Sequence, residues 1–292
     1  MVEPVGFGAN PETAGDNAFQ ADVPGETAEE VAALARAEFR RLVEALEARG
    51  VEVVVFTPYG NHRPPDSVFP NNWFSTHPDG QWVLYPMMAP SRRRERRSEI
   101  VAWLASMYGE PVDLTAEEAR GRYLEGTGSL VIDEPARVVY ASRSSRTDEE
   151  LVADWADRFG YRAIVFEARD SGGHLVYHTN VVLTLGTGYA IVCAAAIEPP
   201  EARREVLAEL ARSGRVVVEI GCDQLHAFCG NALELEKEDG QRLLVLSERA
   251  WRAFSPEQRT VLEAYAEVLP VGLETIETHG GGSARCMLAE LY

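Results

Sequence analysis

The stretch Asp148-Glu149-Glu150-Leu151-Val152-Ala153-Asp154-Trp155-Ala156-Asp157-Arg158-Phe159-Gly160-Tyr161-Arg162-Ala163-Ile164-Val165-Phe166 reads as an amphipathic helix, a glycine stop and a strand. Gly160 stands where a helix needs a left-handed residue after its last turn. The same order recurs on both sides. Residues 28–49 predict a helix that ends at Gly50 before a strand over 51–56, and residues 93–108 one that ends at Gly109 before 111–114. Residues 200–213 end at Gly214 before 215–220, and residues 256–266 lead into 268–273. The glycine stops are 59, 51 and 54 residues apart.

Between the helices lie β-rich stretches at 82–86, 129–132, 137–141, 181–185, 189–193, 232–235 and 242–247. A period near 50 with mixed elements is the mark of a radial or stacked array. Ordinary α/β alternation would give helices and strands in turn around an open sheet. Near-equal units filling 292 residues favour a closed propeller: an α/β fold with a pseudo-five-fold repeat of ββαβ-type units. No linker, low-complexity run or composition break divides the chain, so residues 1–292 are expected to form one domain.

Composition narrows the function. Acidic residues number 46 against 28 basic ones, a formal charge of −18. Nucleic acids and anionic membranes both require positive potential, so neither is an expected partner. No apolar run reaches the roughly 18–20 residues of a membrane span. Met1-Val2-Glu3-Pro4 lacks the charged and apolar regions of a signal peptide. Cys193, Cys222, Cys229 and Cys286 are too few for a disulfide framework in a chain this long. The expectation is a cytoplasmic protein.

Four segments carry polar residues that folding alone does not ask for. The first is Pro64-Pro65-Asp66-Ser67-Val68-Phe69-Pro70-Asn71-Asn72-Trp73, which an ordinary turn explains equally well. The second is Leu124-Glu125-Gly126-Thr127-Gly128-Ser129, by itself readable as a solvated turn. The third is Ser171-Gly172-Gly173-His174-Leu175-Val176-Tyr177-His178-Thr179-Asn180, where strand geometry would put His178 and Asn180 on one face. The fourth is His279-Gly280-Gly281-Gly282-Ser283-Ala284-Arg285-Cys286, a glycine-rich approach to a cysteine. A thiol activated by a histidine, itself oriented by an acid, is a general nucleophile arrangement.

With these four segments in this order, the chain resembles the guanidino-group-modifying superfamily: arginine deiminases, dimethylarginine hydrolases, amidinotransferases and succinylarginine dihydrolase. The resemblance runs from about Asp66 to Cys286 and implies the five-bladed pentein fold. It implies Cys286 as nucleophile, His178 as its acid and base, and Glu125 as the acid that orients His178. It further implies that Asp66 holds the substrate α-amino group and that Arg92 and Arg146 clamp the α-carboxylate, as planar guanidinium groups do well. From the residues alone, the run at 92–97 reads as a solvated helix start.

Arginine-acting members of the superfamily grip the cationic head group with two carboxylates, and here those positions carry Asn72 and Asn180, with Asn71 beside the first. A carboxylate only accepts hydrogen bonds, whereas a carboxamide both accepts and donates. Asparagines therefore suit a ureido group, and burying a guanidinium against neutral amides forfeits its charge pairing. The expected activity is a cofactor-free hydrolase of non-peptide C–N bonds acting on a ureido amino acid such as citrulline, giving ornithine, ammonia and carbon dioxide. The pattern is similar to bacterial citrulline-utilisation hydrolases. The alternatives are a guanidine-acting relative (dimethylarginine or arginine hydrolase, or amidinotransferase) and a non-catalytic pentein that binds a partner.

Cys222, His226 and Cys229 lack the second ligand pair that a structural metal site needs, so no metal is expected there. Residues 229–235 read as a loop entering a strand and as a candidate lining of the pocket. Asn17-Ala18-Phe19-Gln20 reads equally as a cover over the pocket and as a surface loop. His279, ahead of the triple glycine, is a further candidate to serve the site, at a spacing to Cys286 that does not constrain its role.

Overall fold

All four glycine stops take the positive φ expected of them, 74° at Gly50, 78° at Gly109, 71° at Gly160 and 78° at Gly214, although the ψ of −155° takes Gly109 out of the left-handed helical well. The computed structural model describes residues 1–21, 23–59 and 63–292. Helix α1 (Ala28–Glu47) starts at a Thr27–Glu30 capping box and buries Val31, Ala35, Phe39, Leu42 and Leu46 along one face.

After α1, one unit is written four times: two antiparallel strands, a helix, and a strand parallel to the second. The first comprises β1 (Phe74–Thr76), β2 (Trp82–Leu84), α2 (Pro90–Arg93), α3 (Ser98–Tyr108) and β3 (Val112–Asp113). The second comprises α4 (Gly126–Ser129), β4 (Leu130–Asp133), β5 (Val138–Ser142), α5 (Glu149–Phe159) and β6 (Arg162–Ala168). The third comprises α6 (Thr179–Val182), β7 (Leu183–Leu185), β8 (Tyr189–Val192), β9 (Ile197–Glu198), α7 (Pro200–Arg212) and β10 (Val216–Glu219). The fourth comprises α8 (Cys222–His226), β11 (Leu233–Glu236), β12 (Arg242–Ser247), α9 (Glu248–Ala253), α10 (Pro256–Glu263) and β13 (Glu267–Val271). Helix α11 (Glu274–Gly280) and a 3-10 turn at Ala284–Met287 follow.

The sheets run β1-β2-β3, β4-β5-β6, β10-β8-β7 and β11-β12-β13, and β9 joins the outer edge of β6. In every case the second strand of the unit lies in the middle, antiparallel to the first and parallel to the last.

Two sequence expectations fail in an informative way. Residues 51–56 form no strand ladder. Their neighbour is the start of the chain, and contact is limited to a parallel bridge between Val2 and Phe56 with hydrogen bonds such as Glu3 N–H to Phe56 O at 2.9 Å. The helix expected over 93–108 is broken into α2 and α3, because Arg92 and Glu95 turn inward to pair with each other.

The unit places chemistry at one end. The short segments ahead of β1, β4 and β7 pack in succession, and the segment Pro70–Asn72 also meets the Ala284–Met287 turn. Side chains on these segments converge from separate sheets, supported by cores of Leu, Val, Ile and aromatic residues. No helix among the described residues is long and apolar enough to cross a membrane.

Candidate active site

Cys286 sits buried in the last 3-10 turn, its N–H bonded to Ser283 O at 3.0 Å. The triple glycine ahead of it packs Gly280 and Gly282 against Phe69. The pocket in front of the thiol is lined by Asp66, Asn72, Arg92, Arg146, Tyr177 and His178, and roofed by Thr13 and Asn17. Its volume is about 10 Å³, space for one water molecule.

His178 and Glu125 are both buried, and His178 Nε2 lies 3.0 Å from Glu125 Oε2. His178 is not on a strand as its sequence context suggested. It is the residue before α6, and the helical turn separates it from Asn180. Gly128 makes the approach possible, because a Cβ there would come within 2.7 Å of the His178 ring and 2.5 Å of Asn72 Nδ2.

Burial works to raise the Glu125 carboxyl, but the hydrogen bond with His178 and the charges of Arg146, His178 and Arg92 prevail and hold it at about 2. Burial, reinforced by Arg146 and Arg92, holds the His178 imidazole below its ordinary 6.5 despite Glu125. The resting pair at neutral pH is thus a carboxylate and a neutral imidazole. A neutral imidazole can take a proton from a thiol, and the carboxylate then stabilises the imidazolium.

Arg92 is not solvated. It donates to both oxygens of Glu95 at 2.9 and 3.0 Å, to Asn72 Oδ1 at 2.7 Å and to Phe69 O at 3.2 Å. This fixes Asn72 with its amide nitrogen toward Asn71 Oδ1 at 3.1 Å. Asn71 itself faces away, donating to Thr127 Oγ1 at 3.2 Å. Asp66 accepts from Asn10 at 2.7 Å through one oxygen, while its other oxygen is buried without a partner. Arg146 lies over the Tyr177 ring at 4.8 Å, and its guanidinium fork holds both oxygens of Asp16.

At the thiol itself stand two carboxamides. Asn180 Nδ2 is 3.7 Å from Cys286 Sγ and Asn231 Nδ2 is 3.3 Å from it. Asn180 was expected in the site. Asn231 was expected only as part of a pocket-lining loop, with no role of its own, although the sequence holds a sharper signal: Asn72, Glu125, His178 and Asn231 follow one another at intervals of 53 residues. Of the stretch at 17–20, Asn17 lines the pocket, its Nδ2 bonded to Gly280 O at 3.2 Å, while Phe19 is set against Tyr177 and Phe228. His279 is engaged elsewhere, 2.8 Å from Glu26. No group of three His, Cys, Asp or Glu residues is placed to hold a metal ion among the described residues.

Comparison with known proteins adds to this geometry. The sequence model of a family described as "N,N dimethylarginine dimethylhydrolase, eukaryotic" matches residues 3–292. No curated protein matches the sequence. Among solved structures, the cyanobacterial arginine dihydrolase ArgZ superposes with a TM-score of 0.74 at 18% identity, covering 98% of this chain and 39% of that one. The chain thus spans about two-fifths of that protein. The N-terminal domain of an ArgZ Asn-to-Ser variant, covalently bound to a reaction intermediate, gives 0.76 at 17% identity, covering 99% and 95%. A His-to-Gly dimethylarginine dimethylaminohydrolase adduct with S-methyl-L-thiocitrulline gives 0.62 at 18% identity, covering 88% of each chain. At these identities the likeness is one of fold.

Proposed function

We propose that this chain, which belongs to the N,N dimethylarginine dimethylhydrolase family and so to the guanidino-group-modifying pentein superfamily, is a cofactor-free hydrolase of an arginine-type amino acid. The observation that carries the reading is His178, held by the buried Glu125 carboxylate and lining the same small pocket as Cys286. In this reading the four ββαβ units and the 1–3/51–56 contact make up a single five-bladed propeller domain, with the site on its axis.

His178 takes the thiol proton, and Cys286 Sγ attacks the head-group carbon. His178 returns that proton to the departing amine. A water, deprotonated by the same imidazole, cleaves the covalent adduct. Asp66 binds the α-amino group through its unpartnered oxygen, and Arg146 binds the α-carboxylate. Arg92 acts by holding Asn72 and lending positive charge, since Glu95 already fills its fork.

Two head groups have support. Family membership and the activities of the structural neighbours favour a guanidino group. The carboxamides of Asn72, Asn180 and Asn231 favour a neutral ureido group, which presents both C=O and N–H. Both follow if a guanidino substrate is hydrolysed to its ureido product and the asparagines retain that product for a second round. For arginine the balance is arginine and two water giving ornithine, two ammonia and carbon dioxide, with citrulline as the intermediate. A non-catalytic binding role has no observation in its favour.

Product analysis with arginine, dimethylarginine and citrulline tests this. Ornithine and ammonia from both arginine and citrulline are expected. Arginine turnover that stops at citrulline, with added citrulline inert, would reject the ureido part. No turnover of any of the three would reject the whole.

A further inference from the structure

The 53-residue interval places one polar residue of each unit at the same end, shortly before β1, β4, β7 and β11. Asn72, Glu125 and His178 already belong to the site. Asn231 holds the fourth place and is fully buried.

The backbone around Asn231 is built at a conformational cost. Phe228 adopts a φ of 61°, in the left-handed region that bulky residues avoid, and its carbonyl accepts the Asn231 N–H at 2.9 Å. Gly230 lies so close to the turn carrying Asn180 that a Cβ would come within 2.2 Å of Val181 O. Such constraint is held only where surrounding structure enforces it. The result is that the Asn231 carboxamide touches three groups. Its Nδ2 is 3.3 Å from Cys286 Sγ, 3.0 Å from Asn180 O and 3.3 Å from Asn180 Oδ1, and its own Oδ1 is 3.6 Å from Sγ.

We propose that Asn231 is a specificity-determining and positioning residue for the chemistry at Cys286. Its amide fixes which way the Asn180 carboxamide points and offers a neutral N–H donor to the thiolate. The paired carboxamides are uncharged and set both donors and acceptors beside the sulfur that attacks the head-group carbon. This deepens the hydrolase reading and rests on it. A carboxylate in place of either amide would put a negative charge beside the attacking sulfur and lose a donor.

Asn231→Asp is nearly isosteric and separates the alternatives, with Asn231→Ala as a second variant. The first readout is the iodoacetamide labelling rate of Cys286, which needs no substrate. The second is kcat and KM on citrulline and arginine. Asn231→Asp should label severalfold more slowly and shift the citrulline-to-arginine kcat/KM ratio toward arginine by about tenfold, the change of roughly 1.4 kcal/mol that one group can supply. Asn231→Ala should lower kcat by about tenfold or more with KM within about threefold, the pattern of an interaction made in the transition state. Folded variants with wild-type labelling and a wild-type substrate ratio would overturn the proposal. Slowed labelling of Asn231→Asp, with a wild-type protein that turns over neither substrate, would keep the contact to the thiol while rejecting the hydrolase reading.

Discussion

The carboxylate of Asp16 occupies the guanidinium fork of Arg146, with one oxygen 3.0 Å from Nε and the other on Nη2. Asp16 also accepts from Ser145, and the adjoining Asn17 bonds to Gly280 ahead of the nucleophile. A segment near the N-terminus thus fills the fork proposed for a substrate carboxylate and helps roof a pocket with space for one water.

With Arg146 as the proposed carboxylate clamp, substrate would have to displace Asp16. Asp16→Ala should lower KM for amino-acid substrates by about three- to tenfold, with kcat changing less, because a competing charged contact of about 1 kcal/mol is removed. Steady-state kinetics at two salt concentrations would check this. A raised KM would mean that Asp16 helps bind substrate instead of standing in for it.

The asparagines differ in what a charge would do. Asn72 Oδ1 already faces Arg92 at 2.7 Å, so a carboxylate at position 72 would be paired. Asn180 faces the thiol and Asn231, with no cation among the described residues within hydrogen-bonding distance of its amide. Asn180→Asp should therefore shift kcat/KM toward arginine over citrulline by at least about tenfold, and Asn72→Asp by less. Competition assays with both substrates would expose equal effects, which would remove the distinction.

The His178 imidazole is held below its ordinary 6.5 chiefly by burial. The unfolded chain takes a proton there that the folded chain refuses, so stability must fall as pH drops below 6.5 and level off once the folded value is passed. Glu125 acts in a lower window: held at about 2 against an ordinary 4.5, it adds stability above 4.5 that is lost on the way down to 2. Urea denaturation between pH 7 and 5 should show a steeper loss for wild type than for His178→Gln. Parallel curves would indicate that the folded state does not hold His178 neutral.

Much of this was legible in the sequence because it is local or repeated. The helix stops at Gly109, Gly160 and Gly214 can be read from a few adjacent residues, and the Cys286, His178 and Glu125 motifs each lie on one short segment. The rest depends on partners far along the chain. Arg92 looked solvated within a run of arginines, yet Glu95 and Asn72 draw it inside. Asp16 meets Arg146 across 130 residues, and no local pattern announces it. Residues 51–56 have strand composition, but strand formation also requires a neighbouring edge of adequate length, and the first residues of the chain supply only a bridge. The loop carrying Asn231 could be read as a pocket lining, but the residue itself stands out through the repeat, as the fourth in a 53-residue series.

The central claim is that Cys286 becomes covalently bonded to the head-group carbon. Its most direct test is peptide mass mapping of protein acid-quenched during turnover, with Cys286→Ala as the paired control. The account predicts an adduct of substrate less its departing amine on the peptide containing Cys286 and on none containing Cys193, Cys222 or Cys229. It also predicts a folded Cys286→Ala protein with turnover reduced by at least about a thousandfold. A Cys286→Ala protein that turns over substrate at the wild-type rate would contradict it.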